Sequence, residues 1–208
     1  MKKIFMSICL MSIIVVSLYL FKDTLFAFNI GKSNNYPVVT VVFSNNKEVV
    51  IELYPSQAPN TVNNFLDLAD QGFYEYTFVS RIIPGYFVQA GDPIGDGYGY
   101  PGYYIESECK YNGTSNSISL TRGTVSMARG QDFNTEGSQF FILTQDARHL
   151  NGQYSAFGKV ISGMEVIDNF GTTELDSDYQ PKQDIFIKEV KVELNGYEPQ
   201  APEVYLAD

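Results

Sequence analysis

The 208-residue chain has no tryptophan, a single histidine and two cysteines, and its 14 lysines and arginines are outnumbered by 24 acidic residues. The net charge of −10 opposes a general affinity for nucleic acid or anionic lipid, both of which need clustered cations. Cys9 lies in an N-terminal apolar run and Cys109 deep in the polar part, so the pair suggests no disulfide framework. Without an activating histidine or CxxC partner, Cys109 reads as a buried free thiol. His149 has no serine or cysteine companion in a recognisable triad, which leaves a hydrolase unsupported. Asp92 and Asp96 stand among glycines without the alternating ligands and terminal glutamate of an EF-hand, and no Gly-Lys-Ser/Thr phosphate loop occurs. No metal or cofactor is expected.

What the chain does have is 15 tyrosines, 15 phenylalanines and 17 glycines, a composition that suits aromatic-bearing strands joined by tight turns. Lys2 and Lys3 precede an apolar run over residues 4–21, about 18 residues and near the lower limit for a spanning helix. Residues 1–28 therefore read as a signal anchor, with the lysines kept in the cytoplasm and the remainder exported. The alternative is a cleaved secretory signal, which also leaves the domain extracytoplasmic. Residues 29–36 read as a linker, 37–197 as the globular domain and 198–208 as an acidic tail without regular structure.

Within the domain, residues 38–43 and 49–53 read as a hairpin around Ser44, Asn45, Asn46 and Lys47. Val62, Phe65, Leu66 and Ala69 recur at helical spacing after Pro59, with Asn63, Asn64, Asp67 and Asp70 on the opposite face and Gly72 as the stop. Short apolar runs at 77–83, 86–89, 117–120, 124–128, 139–143, 156–160 and 185–193 suit a closed antiparallel barrel or a sandwich. A second short helix is expected over 162–170. Alternation puts Phe140 and Phe141 on opposite faces of their strand.

Three stretches carry a more specific signal. The first is Arg81-Ile82-Ile83-Pro84-Gly85-Tyr86-Phe87-Val88-Gln89-Ala90-Gly91-Asp92. The second runs from Ser126-Met127-Ala128-Arg129 to Gly137-Ser138-Gln139-Phe140-Phe141-Ile142, and the third from Leu150-Asn151-Gly152-Gln153-Tyr154 to Val160. In order and interval they resemble the signatures of the cyclophilin-type peptidyl-prolyl cis/trans isomerases, over residues 38–192. The glycine-rich loop at 91–102 is closer in style to bacterial members.

The resemblance implies a mainly β fold, a closed eight-stranded antiparallel barrel capped by two helices. It implies Arg81 as the donor to the prolyl nitrogen, with Gln89, and Gln139 from the opposite strand, holding its fork and contacting the substrate backbone. Tyr86, Phe87, Phe141 and Leu150 would form the proline slot, and backbone groups around Ala128 and Arg129 would pin the peptide. The sequence departs from the family pattern at Ser80, at His149 in a tryptophan position, and at Tyr154 in a histidine position; the last two are counted among the substrate contacts. The implied partners are proline-containing segments of exported proteins, bound by a monomer. The alternative function is a binding module that holds such segments with negligible turnover.

Overall fold

The computed structural model describes residues 36–206. The apolar run at 4–21 and nearly all of the expected linker lie outside the described residues. Among those described, no helix is long and apolar enough to cross a membrane.

The strands are β1 (Val38–Phe43), β2 (Glu48–Leu53), β3 (Phe78–Ile83), β4 (Phe87–Asp92), β5 (Tyr103–Tyr104), β6 (Thr124–Met127), β7 (Phe140–Leu143), β8 (Ala156–Ser162), β9 (Ile187–Glu193) and β10 (Tyr205–Leu206). The helices are α1 (Pro59–Asp70) and α2 (Met164–Phe170). Eight strands form one curled antiparallel sheet in the order β3-β4-β7-β6-β8-β2-β1-β9, and β5 pairs with β10 separately. Aliphatic and aromatic residues from the sheet, including Val39, Ile51, Val88, Phe140 and Phe157, bury one continuous core with Val62, Phe65 and Leu66 of α1. Such burial is the main favourable term in folding.

The expected closed barrel is not what forms. The two end strands, β3 and β9, share no ladder, and their seam holds one isolated bridge, Phe78–Phe186, with backbone bonds from Tyr76 N to Ile187 O, from Ile187 N to Thr77 O and from Val79 N to Ile185 O. Closure fails because the outer half of β3 is met by a turn instead of a strand: Ile82 N donates to Tyr179 O at 2.9 Å. That turn is locked by the Asp176 carboxylate, which accepts the Asp178 and Gln180 N–H groups, each at 2.9 Å.

The expected strand over 117–120 is likewise absent. Leu120 is buried, but its N–H goes to the Asn151 side chain (2.8 Å) and its carbonyl accepts Ala147 N (2.9 Å), so side-chain and loop bonds replace a ladder. On α1, Asn63 and Asn64 are buried and not on a solvent face. Asn64 donates to Gly137 O and accepts the Tyr103 hydroxyl, while Asn63 accepts the Tyr197 hydroxyl and Gln200 N–H. The tail expected to lack structure is therefore docked: Asn60 exchanges two hydrogen bonds with the Glu203 backbone, and Tyr205 and Leu206 pair with β5. Helix α1 has no cap from Ala58, and Glu108 supplies one from 50 residues away by accepting Asn60 and Thr61 N–H. A carboxylate there satisfies orphan donors and complements the helix dipole.

Candidate active site

The site lies on the face of β3, β4 and β7 opposite the main core. Strand alternation sends Phe140 and Ile142 inward to that core, while Phe141 and Leu143 join a second cluster with Leu120, Ala147 and Ala156. Tyr86, Phe87, Ala128, Leu150 and Tyr154 pack on this second cluster from outside. Phe87 and Phe141 meet at 5.8 Å between ring centroids, and Tyr154 stands edge-on to Phe141 at 5.3 Å. Together with Arg81, Gln89, Arg129 and Leu143 these residues enclose a cleft of about 240 Å³.

Register brings the polar members to the cleft. Arg81 pairs with Gln89 across β3–β4, and Gln89 pairs with Phe141 across β4–β7. A bulge between Val79 and Arg81 leaves Ser80 out of the ladder. Such an insertion re-aims the side chains beside it; here Ser80 turns inward and donates to Gln139 Oε1 at 3.3 Å, while Arg81 is exposed. Among the described residues the Arg81 guanidinium has no hydrogen-bond or ion-pair partner, and its Cζ lies 5.7 Å from the Phe87 ring centroid. That is within cation–π range.

The glutamines sit differently from the expectation. Gln89 does not hold the arginine fork; its Nε2 donates to Gln139 Oε1 at 2.7 Å. Gln139 is 8% exposed, and its Nε2 donates to Gly97 O and Gly99 O at 3.0 and 2.8 Å. With both ends of its amide engaged, Gln139 fastens the glycine-rich loop to β7 and orients Gln89. The same loop is held at its start by Asp92, which accepts Ile94 and Gly97 N–H. It leaves the strand at Gly91 with φ of +86°, where a Cβ would meet Ser138 O at 2.5 Å.

Arg129 is also committed. Its guanidinium donates to the carbonyls of Gln153, Gly130 and Gln131 and lies between Phe133 and Tyr154, 4.6 and 4.9 Å from their centroids. The Ala128 N–H is used by Gln139 O at 2.9 Å. His149 is exposed and does not line the cleft; it stacks on Tyr86, with Nε2 and the phenol oxygen 3.1 Å apart. Cys109 is a buried free thiol pushed up by burial. Among the described residues no three His, Cys, Asp or Glu side chains gather as a metal set.

Sequence reasoning missed Leu143, although it lies two residues after Phe141 on the same strand face. It also missed a neighbouring groove of about 490 Å³, in which Asp96, Tyr98, Asp178 and Gln180 flank Arg81. Nothing local in the sequence signals Asp178 or Gln180, which reach the site through the locked turn beside β3.

An open curled sheet with two helices and one apolar cleft beside an unpaired arginine defines the class of protein to which comparison then gives a family. The family model described as cyclophilin type peptidyl-prolyl cis-trans isomerase/CLD matches residues 38–192. The chain is 42% identical over 147 residues to peptidyl-prolyl cis-trans isomerase B of Bacillus subtilis, covering 70% of this chain and 91% of the relative. It is 37% identical over 155 residues to peptidyl-prolyl cis-trans isomerase-like 1 of Emericella nidulans, with 71% and 90% covered. A crystal structure of a Cryptosporidium parvum cyclophilin type peptidyl-prolyl cis-trans isomerase superposes with a TM-score of 0.69 at 32% identity, covering 76% of this chain and 98% of that one. A second structure of that protein, in the presence of the dipeptide Ala-Pro, gives a TM-score of 0.68 at 33% identity, with 75% and 98% covered. The chain belongs to the cyclophilin-type peptidyl-prolyl cis-trans isomerases.

Proposed function

We infer that this chain accelerates cis/trans rotation about Xaa-Pro bonds and that Arg81 is its catalytic group. An Xaa-Pro bond rotates slowly because amide resonance must be broken, at a barrier of about 18–20 kcal/mol, and no covalent bond changes. The enzyme has only to bind the twisted state better than the planar ones. As the C–N bond turns, the prolyl nitrogen pyramidalises and gains a lone pair, so a fixed donor beside it strengthens at the transition state. The observation that carries this reading is the exposed, unpartnered guanidinium of Arg81 at the rim of the apolar cleft. A guanidinium stays charged throughout and offers a planar fork of donors.

In this reading the proline ring enters between Phe87, Phe141, Leu143 and Leu150. The carbonyl end of the Gln89 amide faces the peptide, and backbone groups at Ala128 and Arg129 fix its course beside Tyr86 and Tyr154. The structure of the related protein solved in the presence of Ala-Pro supports a proline-containing peptide as the occupant. His149 acts on the rim by orienting Tyr86. The apolar run at 4–21, behind Lys2 and Lys3, supports a tether that holds the domain outside the membrane, where exported proteins are the clients of a monomeric enzyme in this reading. Cleavage of that run would give a secreted form of the same enzyme.

The test compares the full-length chain with its Arg81→Ala variant in a cis/trans assay on proline peptides. Losing one preorganised donor should lower kcat/KM on the order of 10²–10³-fold. The melting temperature should move by less than roughly 3 °C, since only an exposed cation–π contact is lost. Equal rates reject the mechanism, and a melting point that collapses rejects a free catalytic guanidinium. Peptide binding with no turnover in either protein would make the chain a binding module.

A further inference from the structure

Glu136 is 0% exposed, and the mechanism above does not use it. Its Oε1 accepts the hydroxyls of Ser107 and Ser155, while its Oε2 is buried without a partner among the described residues. Backbone bonds tighten the same junction: Ile105 N donates to Glu136 O, and Ser107 N to Asn134 Oδ1. One carboxyl group thus ties together three segments far apart in sequence. Two of them build the cleft. Ser155 follows Tyr154 directly, and its carbonyl accepts Met127 N at 3.1 Å, next to Ala128 and Arg129. Arg129 in turn grips Gln153 O, two residues before Ser155.

We propose that Glu136 is a positioning residue of the isomerase cleft, which sets the Tyr154 wall and the Ala128–Arg129 edge through Ser155 and makes peptide affinity respond to proton concentration. The proposal rests on the reading of the cleft given above. Burial pushes the Glu136 carboxyl up to about 7, with the two serine hydroxyls and the Ser155 N–H pulling it down and Glu108 raising it slightly. Both protonation states are therefore populated near neutrality. The charged and titratable groups around it do not compensate. Glu108 is committed to the α1 N-terminus, the Cys109 thiol is pushed up by burial, and Arg129 is bound to three carbonyls.

The charged carboxylate accepts both serine hydroxyls at once. The neutral acid either donates its proton to one serine, reversing that link, or keeps it on the unpartnered oxygen and accepts more weakly. Either way the link to Ser155 loses the charge assistance it has at high pH. The bound peptide then meets a looser Tyr154 wall, while Arg81, on another strand, is unaffected.

The experiment measures peptide Kd by titration, and KM and kcat in the isomerase assay, from pH 6 to 8. It uses the full-length chain carrying His149→Asn, which removes the chain's single imidazole. Affinity should fall roughly fivefold between pH 8 and pH 6, the worth of one net hydrogen bond, with kcat unchanged. Adding Glu136→Gln should flatten the profile. Adding Ser155→Ala should flatten it too, and guards against a Gln variant that does not fold. A profile already flat before these changes overturns the proposal. So does one that persists in either variant, or a Ser155→Ala variant that shifts only the melting temperature. If the chain turns over no peptide, the Kd profile still decides the role of Glu136, so the two readings fail separately.

Discussion

Replacing Gln139 with alanine separates a fastening role from a substrate-contacting one. The side chain makes four hydrogen bonds, at 2.7 Å from Gln89, 3.3 Å from Ser80, 3.0 Å to Gly97 O and 2.8 Å to Gly99 O. Their loss is uneven in cost. Gly97 is exposed and Gln89 half-buried, so water can replace their partner at a few tenths of a kcal/mol each. The Gly99 carbonyl and the Ser80 hydroxyl are both buried, and each group orphaned there costs about 1 kcal/mol or more. A total of about 3 kcal/mol follows, which in a domain of this size lowers the melting temperature by roughly 6–12 °C. Calorimetry on the purified variant measures it. The loop at 91–102 should also gain amide hydrogen exchange, and kcat/KM should fall because Gln89 loses its anchor. A variant that melts within about 2 °C of the parent would refute the reasoning, because an unchanged stability means the four bonds contribute nothing net.

Deleting residues 198–208 should weaken the N-terminal turn of α1, where Asn60 and Asn63 bind the tail, and speed amide exchange at Thr61 to Asn64 while kcat/KM stays within twofold, a limit set by roughly 0.4 kcal/mol. Activity lost on truncation would contradict it. The pH dependence of stability has a definite sign at Glu136. Its carboxyl is raised from 4.5 to about 7, so the folded state holds that proton more tightly than the unfolded chain. The contribution is fully present below about pH 4.5 and is lost as pH rises to about 7, a change on the order of 3 kcal/mol. Urea denaturation at several pH values should show Glu136→Gln flatter than the parent in that window, and parallel profiles would contradict the assignment.

How much of this was legible depended on whether a residue's partners are near in sequence. Arg81, Gln89 and Phe141 belong to motifs whose strands register them side by side, and the alternation of Phe140 and Phe141 divides core from cleft as expected. Helix α1 was readable from its apolar spacing. Its polar face was not, because Asn63 and Asn64 are buried by a tail and a loop 73 or more residues away, and hydrophobic periodicity has no term for what later covers a surface. Closure of the sheet was misread for a related reason. Residues 185–193 look like a strand, but whether that strand meets β3 depends on where the turn at 176–180 settles, which its own Asp176 bonds decide. Gln139 illustrates the limit at the site. The motif names it, yet its partners are glycine carbonyls 40 and 42 residues away, and their positions follow from the positive-φ course of the loop.

The distribution of partners around the cleft has a common logic. Gln139, Arg129, Asp92 and Glu108 are each bound by several internal groups and hold loops that border the cleft or its supporting helix. Arg81 is the contrast. The chain carries 24 acidic residues and a net charge of −10, yet among the described residues no carboxylate lies within ion-pair distance of Arg81. A salt bridge there would occupy the donor fork and offset its charge in the resting complex, so rotation of the bound imide would first have to break it. In the proposed mechanism an unpaired guanidinium over Phe87 instead exchanges water for the prolyl nitrogen only as that nitrogen acquires its lone pair. Neutralising Arg81 by placing a carboxylate beside it would for this reason cost nearly as much activity as deleting its side chain.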